Sequence, residues 1–363
     1  MALDINAQFP LLAHSTYVNT PGSGLLSKDI LTWRRQHDGD YFNAGSSFRI
    51  NQESFLREVK QSVSDFFHAD AAYTYLVPNF SFGINTFLNG LSVTERFLLL
   101  EEDYPSVTYA VKSRGFQVDT VPVDEQLEDR ILTKIREFKP TAFAFSLVQY
   151  ISGIKLDIGF LKKLKAENPE LLLIADGTQY CGTEKVDFMG SGLDFLGASG
   201  YKWMLAGYGN AFVFLSESIT DRLYKQTSTQ RLPTEPFLKE KTALSLYFEP
   251  GHLDTLSFGT LKRSIDYFNS IGIQTVEAAI RDLSLKARAA FIDRGLLADA
   301  VSKRPQHSSI FSLSVNDATH KRLQDGKVIC MRRGSGVRVG FHFFNSEADL
   351  ISILEILDRG PNG

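Results

Sequence analysis

The 363-residue sequence has two cysteines, Cys181 and Cys330, and seven histidines. Two thiols this far apart form neither a disulfide framework nor a metal-ligand spacing, which fits a reducing compartment. The histidines are scattered, with no HExxH or paired spacing, so the sequence offers no metal centre. Charge of one sign is also scarce: the net charge is −3 and the isoelectric point about 6.2. A polybasic surface for nucleic acid or a membrane is therefore not expected. No apolar run reaches membrane-spanning length. The opening MALDINAQFPLLAHS lacks the basic start and long apolar core of a secretory signal. A soluble cytoplasmic protein is the expectation. No GxGxxG or GxxxxGK[ST] motif stands at a strand–helix turn, which disfavours nucleotide binding. Internal repeats and low-complexity linkers are missing as well.

What the chain does have is apolar substance. Hydrophobic residues make up 43% and aromatic residues 12%, including 28 Phe, enough for a sizeable interior. The length favours one large and one smaller domain. Seven short apolar runs recur, at 73–77, 97–101, 117–123, 141–148, 171–175, 194–199 and 211–215. Helix-like segments lie between them, such as 127–138 and 158–168, and residues 51–68 place Phe55, Val59, Val63 and Phe66 at helical spacing. Near-continuous apolar strands separated by helices predict an α/β fold, a mostly parallel seven-stranded sheet with helices on both faces. From about Ser257 the pattern changes to a long helical stretch, 262–296, then short strands and a last helix from Glu347. This predicts a smaller α+β C-terminal domain over 257–363, a large domain over 17–256, and an N-terminal segment 1–16 packing with the small domain.

Ligands of such sheets gather at the carboxyl ends of the strands, and the residues there are informative. In LGASGYKWMLAGYGNAFVFL (196–215) one lysine, Lys202, stands in a glycine-dotted loop with little charge around it. LLLIADGTQY ends a buried run in Asp176, with Gln179 three residues on. Alone, that acid reads as a turn cap beside Gly177. YLVPNFSFGIN leads through Asn79, Phe80 and Ser81 into a helix, whose start suits a phosphate but alone reads as an ordinary cap. FLLLEEDYPSV delivers Tyr104 past another run, where a ring could stack on a flat cofactor. Together, an imine-forming lysine, an acid for a pyridinium nitrogen, a helix-start phosphate site and a stacking ring are what pyridoxal phosphate requires.

At this point the chain resembles the class V aminotransferase group of fold-type I pyridoxal-phosphate enzymes, which includes cysteine desulfurases, kynureninases and isopenicillin-epimerase-like proteins. The resemblance runs from YVNTPGSGLLS (17–27) to RVGFHFFNSEADL (338–350). It implies that Lys202, in SGYK, carries the cofactor, that Ser199 is a phosphate ligand, and that Tyr201 replaces the usual His with a hydroxyl able to reach the phosphate. From DGTQ it implies that Asp176 holds the pyridinium proton and Gln179 bonds the phenolic oxygen. Phe80 and Ser81 take the phosphate roles of the matching stretch, and Tyr104 stands where desulfurases carry a stacking His. FGT (258–260) is matched to the Gly-Thr that reaches the neighbouring subunit's phosphate, so Thr260 implies a homodimer with shared active sites. Arg338 is matched to the arginine that grips the substrate α-carboxylate, for which a planar fork is suited.

The departures bear on the reaction. Desulfurases carry a catalytic cysteine in a mobile loop before that arginine. Here DGKVICMRRGSGVR is short, and Cys330 sits in a β-like run as a core cysteine, inert through burial. Cys181 follows Gln179 where a small residue is usual. Gln149 and Tyr150 replace an Asn that touches the cofactor ring. The expected activity is therefore an aminotransferase acting at the α-carbon of an amino acid. The alternatives are a lyase of the desulfurase, selenocysteine-lyase or kynureninase kind, an epimerase, and more remotely a non-catalytic regulator that binds the cofactor.

Overall fold

A computed structural model describes residues 5–227, 229–235, 238 and 241–359. The start of the N-terminal segment (1–4) and the chain's last residues (360–363) lie outside these. The seven apolar runs become the seven strands of one sheet: β1 (Thr74–Val77), β2 (Arg96–Leu100), β3 (Gln117–Val121), β4 (Ala142–Ser146), β5 (Leu172–Asp176), β6 (Phe195–Ser199) and β7 (Ala211–Leu215). Their order across the sheet is β1-β7-β6-β5-β4-β2-β3. Only β7 runs against the rest, antiparallel to both β1 and β6. Every residue of β4, β5 and β6 is buried, as expected for strands covered on both faces. The edge strand β3 is half-buried over most of its length.

Helices return the chain between the parallel strands. Phe80–Gly90, Pro105–Lys112, Leu127–Phe138 and Ile158–Glu167 each follow a strand and lay an apolar stripe on the sheet. The carboxyl ends of β1, β2, β4, β5 and β6 consequently share one edge, which brings Val77, Leu100, Ser146, Asp176 and Ser199 into a row. Register fixes the middle of that row: Asp176 lies beside Ser146 on one side and Gly197 on the other.

The expected long helix over 262–296 is two helices, Thr255–Ile271 and Ile273–Asp293. They break at Gly272, whose φ of +87° lies in the left-handed region that glycine enters without strain. The first packs against the helices Lys28–Ala44 and Gln52–Phe66. Beyond the second, β8 (Ile310–Leu313), β9 (Met331–Arg333) and β10 (Gly336–Gly340) form an antiparallel sheet in the order β9-β10-β8. The terminal helix Glu347–Asp358 opens on a capping box between Ser346 and Asp349. The N-terminal chain reaches this region: Thr16–Tyr17 pairs in parallel with Val328–Ile329, and Phe9 packs against Phe343 and Phe344.

Candidate active site

At the shared edge of the strands lies a cavity lined by Ser81, Tyr104, Tyr150, Asp176, Ser199 and Lys202, among others. It gathers nearly all the residues singled out from sequence, because each follows a strand of the same sheet. Lys202 sits three residues beyond β6 and is 6% exposed. Its amine lies 5.6 Å from the centre of the Tyr104 ring and 5.4 Å from that of Tyr201, and makes no ion pair among the described residues. Burial lowers its proton affinity to about 8, and the charges of Arg338 and Arg333 push the same way against the attraction of Asp176.

The loop around that lysine is tied down from outside the sheet. The Gly24 N–H donates to the Tyr201 carbonyl at 2.7 Å, and His342 Nε2 meets the Trp203 carbonyl at 2.9 Å. The Ser264 hydroxyl donates to the Met204 carbonyl. His342 is fully buried, and its Nδ1 accepts the Phe343 N–H at 2.8 Å, so the ring is held neutral with its proton on Nε2. Desolvation drops its pKa to about 4. Gly24 could not be another residue, since a Cβ there would stand 2.1 Å from the Lys202 carbonyl oxygen.

Asp176 closes β5, buried, with Oδ1 accepting the Thr178 N–H at 2.8 Å. Desolvation raises its carboxyl, while the hydrogen bonds from Thr178 and the Lys202 charge act against that rise. Gln179 is clamped. Its Oε1 accepts the Trp203 indole N–H at 2.7 Å and its Nε2 donates to the Pro21 carbonyl at 2.9 Å, leaving one amide N–H uncommitted. At the other end, the helix Phe80–Gly90 points its start at the cavity. The Phe80 N–H donates to Ser199 Oγ at 2.9 Å, and Asn79 caps the Phe82 N–H at 2.8 Å. The Ser81 hydroxyl lies 2.7 Å from that of Ser106, which belongs to the helix Pro105–Lys112. Two helix starts and three serine hydroxyls thus converge where an anion is favoured.

The pattern of the family described as aminotransferase class-V matches residues 29–350. The chain belongs to the class V aminotransferase family. Its fold is fold-type I, and its cofactor is pyridoxal 5'-phosphate. A probable cysteine desulfurase of Methanothermobacter thermautotrophicus is 21% identical over 98% of this chain and 97% of its own length. An uncharacterized aminotransferase of Bacillus subtilis, YcbU, is 23% identical over 56% of this chain and 55% of its own. Among solved structures, the complex of the cystine C–S lyase C-DES with its product cysteine persulfide superposes with a TM-score of 0.81 at 18% identity, covering 98% of this chain and 100% of that one. The residues present fit a class V cofactor: a buried amine without an ion-pair partner among the described residues, a buried acid at the neighbouring strand end, and an anion-binding corner.

Other expected residues are placed differently. Thr260 lies inside the helix Thr255–Ile271, outside the lining of the cavity. It is 0% exposed, its hydroxyl donates to the Leu256 carbonyl at 2.7 Å and accepts from Arg34 Nη1 at 3.0 Å. Arg338 does not line the cavity but stands behind Tyr150, donating from Nη1 to the Tyr150 carbonyl at 2.6 Å. It is 2% exposed, and Nε is buried without a partner among the described residues. Cys330 is half-buried rather than a core residue, though burial still raises its thiol to about 11. Cys181 is buried beneath the site with its thiol pushed up. Gln149 is scaffold: its Oε1 accepts the N–H groups of Ile151 and Ser152, each at 2.6 Å. Trp203, Ser106, Thr178 and Asp103 escaped the reading of motifs. Trp203 had a signal, being next to the lysine. Asp103 had none: buried, it accepts the N–H groups of Tyr104 and Ser146, each at 2.7 Å, and so ties the ring-bearing turn to β4.

Proposed function

We propose that this class V enzyme is an aminotransferase of the cytoplasm, moving the amino group of an α-amino acid. The observation that carries the reading is the environment of Lys202: a buried amine of lowered proton affinity, beside a buried acid, with no thiol lining the cavity. When bound, the cofactor supplies the electron sink that lets an α-proton leave. In the proposal, Asp176 keeps the ring nitrogen protonated, the uncommitted N–H of Gln179 meets the phenolic oxygen, and Tyr104 covers the ring face. The Phe80 and Ser81 backbone, Ser81 and Ser199 hydroxyls and Tyr201 hold the phosphate. Arg338 orients the α-carboxylate. Lys202 takes the α-proton and returns it one atom away, and an amine titrating near 8 suits a group that must both accept and give it.

A second reading, a lyase that expels a side-chain substituent, is favoured by the full-length relative named a probable cysteine desulfurase. Both cysteines are held protonated by burial, which supports amine transfer over persulfide chemistry on a protein thiol. The test is spectral. An amino acid should discharge the yellow band of the holoenzyme and a 2-oxo acid should restore it. Sulfide released from cysteine, persisting in both Cys181→Ala and Cys330→Ala, would instead establish the lyase. The homodimer with shared active sites remains part of the proposal. Phe42 and Ile50 are 88% and 80% exposed on and just after the helix Lys28–Ala44, apolar surface of the kind an interface covers. Light scattering should show a dimer at micromolar concentration.

A further inference from the structure

We propose that the site selects an α-amino acid carrying a second acidic group on its side chain, and that Arg333 receives that group. The inference deepens the reading above, on which it rests for the ligand's being an amino acid. Strands β9 and β10 form a tight hairpin in which Met331 pairs with Arg338, Arg332 with Val337 and Arg333 with Gly336. Cross-strand partners share a face and successive residues alternate. Arg333, Gly336 and Arg338 therefore lie on one face, and Arg332 on the other. Arg332 is paired there with Asp317 at 2.5 Å. Arg333 and Arg338 are diagonal neighbours, about 7–8 Å apart along such a ladder. The residue opposite Arg333 is a glycine, so no side chain stands there between them.

The hairpin's tip is held at the rim of the cavity. A Cβ on Gly334 would stand 3.3 Å from the Ile151 side chain. Ile151 follows Tyr150, which lines the cavity and whose carbonyl fixes Arg338. Both arginines lower the proton affinity of Lys202, although neither lines the cavity itself: Arg333 is exposed and Arg338 buried. Among the described residues neither guanidinium has a carboxylate partner, although Arg332, one residue away, has one. The acid that lines the cavity, Asp176, and Asp103 outside its lining are both buried beyond or at strand ends and accept backbone N–H groups. Two like charges on one face repel each other. A ligand with two acidic groups would compensate both, one group per guanidinium fork. A ligand with one would leave Arg333 unpaired.

The test uses the holoenzyme and two unreactive acids, glutarate and butyrate, which share a three-carbon chain on one carboxylate and differ in whether its far end carries a second carboxylate or a hydrogen. Calorimetric titration at 0.1 M salt should find glutarate bound about tenfold more tightly, the effect of one charge-assisted contact. Arg333→Gln should shrink that preference below about threefold, and Arg333→Lys should restore part of it. Equal affinity for the two acids in the unaltered protein would overturn the proposal. So would a preference that survives Arg333→Gln. Neither acid has an amino group, so the outcome does not depend on amine transfer. That reading fails separately, if no amino acid discharges the cofactor's band.

Discussion

The wall of the cavity, made by the seven-stranded sheet, commits most of its polar groups to the protein itself, whereas a second wall outside the cavity's lining, made by the three-stranded sheet, leaves two guanidinium groups without a carboxylate among the described residues. On the first wall Asp176, Gln179, Ser199 and Ser81 each have a hydrogen-bond partner in the chain, and the loop of Lys202 is pinned from three directions. On the second, Arg338 has one contact to a carbonyl and a buried Nε without a partner, and Arg333 projects from a hairpin tip. Under the proposed function the difference separates two tasks. A permanent ligand needs a preorganised cradle, while an exchanging substrate needs charge that waits for it.

The sharpest way to break the comparison is at its most strongly held residue. Lys202→Ala should lower turnover by about a thousandfold, as expected when a base that moves a proton is removed. The variant should still fold, and borohydride should no longer fix the cofactor to the chain. Label found on another lysine of the unaltered protein would move the centre of the site elsewhere. Asp176→Asn comes next, with a loss on the order of a hundredfold, the scale of one preorganised electrostatic contact, and with the cofactor retained. Near-normal turnover there would reduce Asp176 to a turn cap for Thr178.

The two walls also differ in how far the sequence discloses them. The first was legible because each of its residues follows a strand directly, so a local motif and an apolar run together place Asp176, Lys202, Ser199 and Ser81. Clamps such as Trp203 on Gln179 and His342 on the lysine loop were not legible, since they join segments far apart in the chain. The second wall depends on register. Nothing local says that Arg333 shares a face with Arg338 while Arg332 turns away, and only the pairing of β9 with β10 decides it. The setting of Thr260 was hidden for a related reason. A Gly-Thr motif reads alike on a surface and inside a helix, and the burial of Thr260 in the single chain comes from packing on the helices Lys28–Ala44 and Gln52–Phe66.

A smaller effect probes the pins of the first wall. His342 is buried neutral, with its pKa lowered to about 4 from an ordinary 6.5. A depressed histidine stabilises the fold fully above its unfolded value, and that contribution is lost as pH falls toward the folded one. Between pH 7 and pH 5 it amounts to roughly 2 kcal/mol. In His342→Gln the side-chain amide can still donate to the Trp203 carbonyl but does not titrate. Urea unfolding should therefore show the native protein losing roughly 2 kcal/mol more than this variant over the same interval. Parallel acid profiles for the two proteins would mean that His342 is not the group holding the loop.

The smallest effect expected is at the cysteines, and it bears on which wall does the chemistry. Cys181 lies under the first wall, where a Cβ on Gly177 would stand 2.8 Å from its sulfur, and Cys330 lies just before β9 on the second. Burial favours the neutral thiol at both positions, and a thiol that stays protonated is neither nucleophile nor leaving group. Cys330→Ala should leave amine transfer within about twofold and stability within about 0.5 kcal/mol, as for a partly exposed site without a partner. Cys181→Ala removes buried sulfur and should cost about 1 kcal/mol of stability, again with little change in turnover. Both are read from the discharge of the cofactor's band by an amino acid and from the urea midpoint. A large loss of turnover in Cys330→Ala, with the midpoint unchanged, would place a working thiol on the second wall and reverse the proposed division of labour between the two.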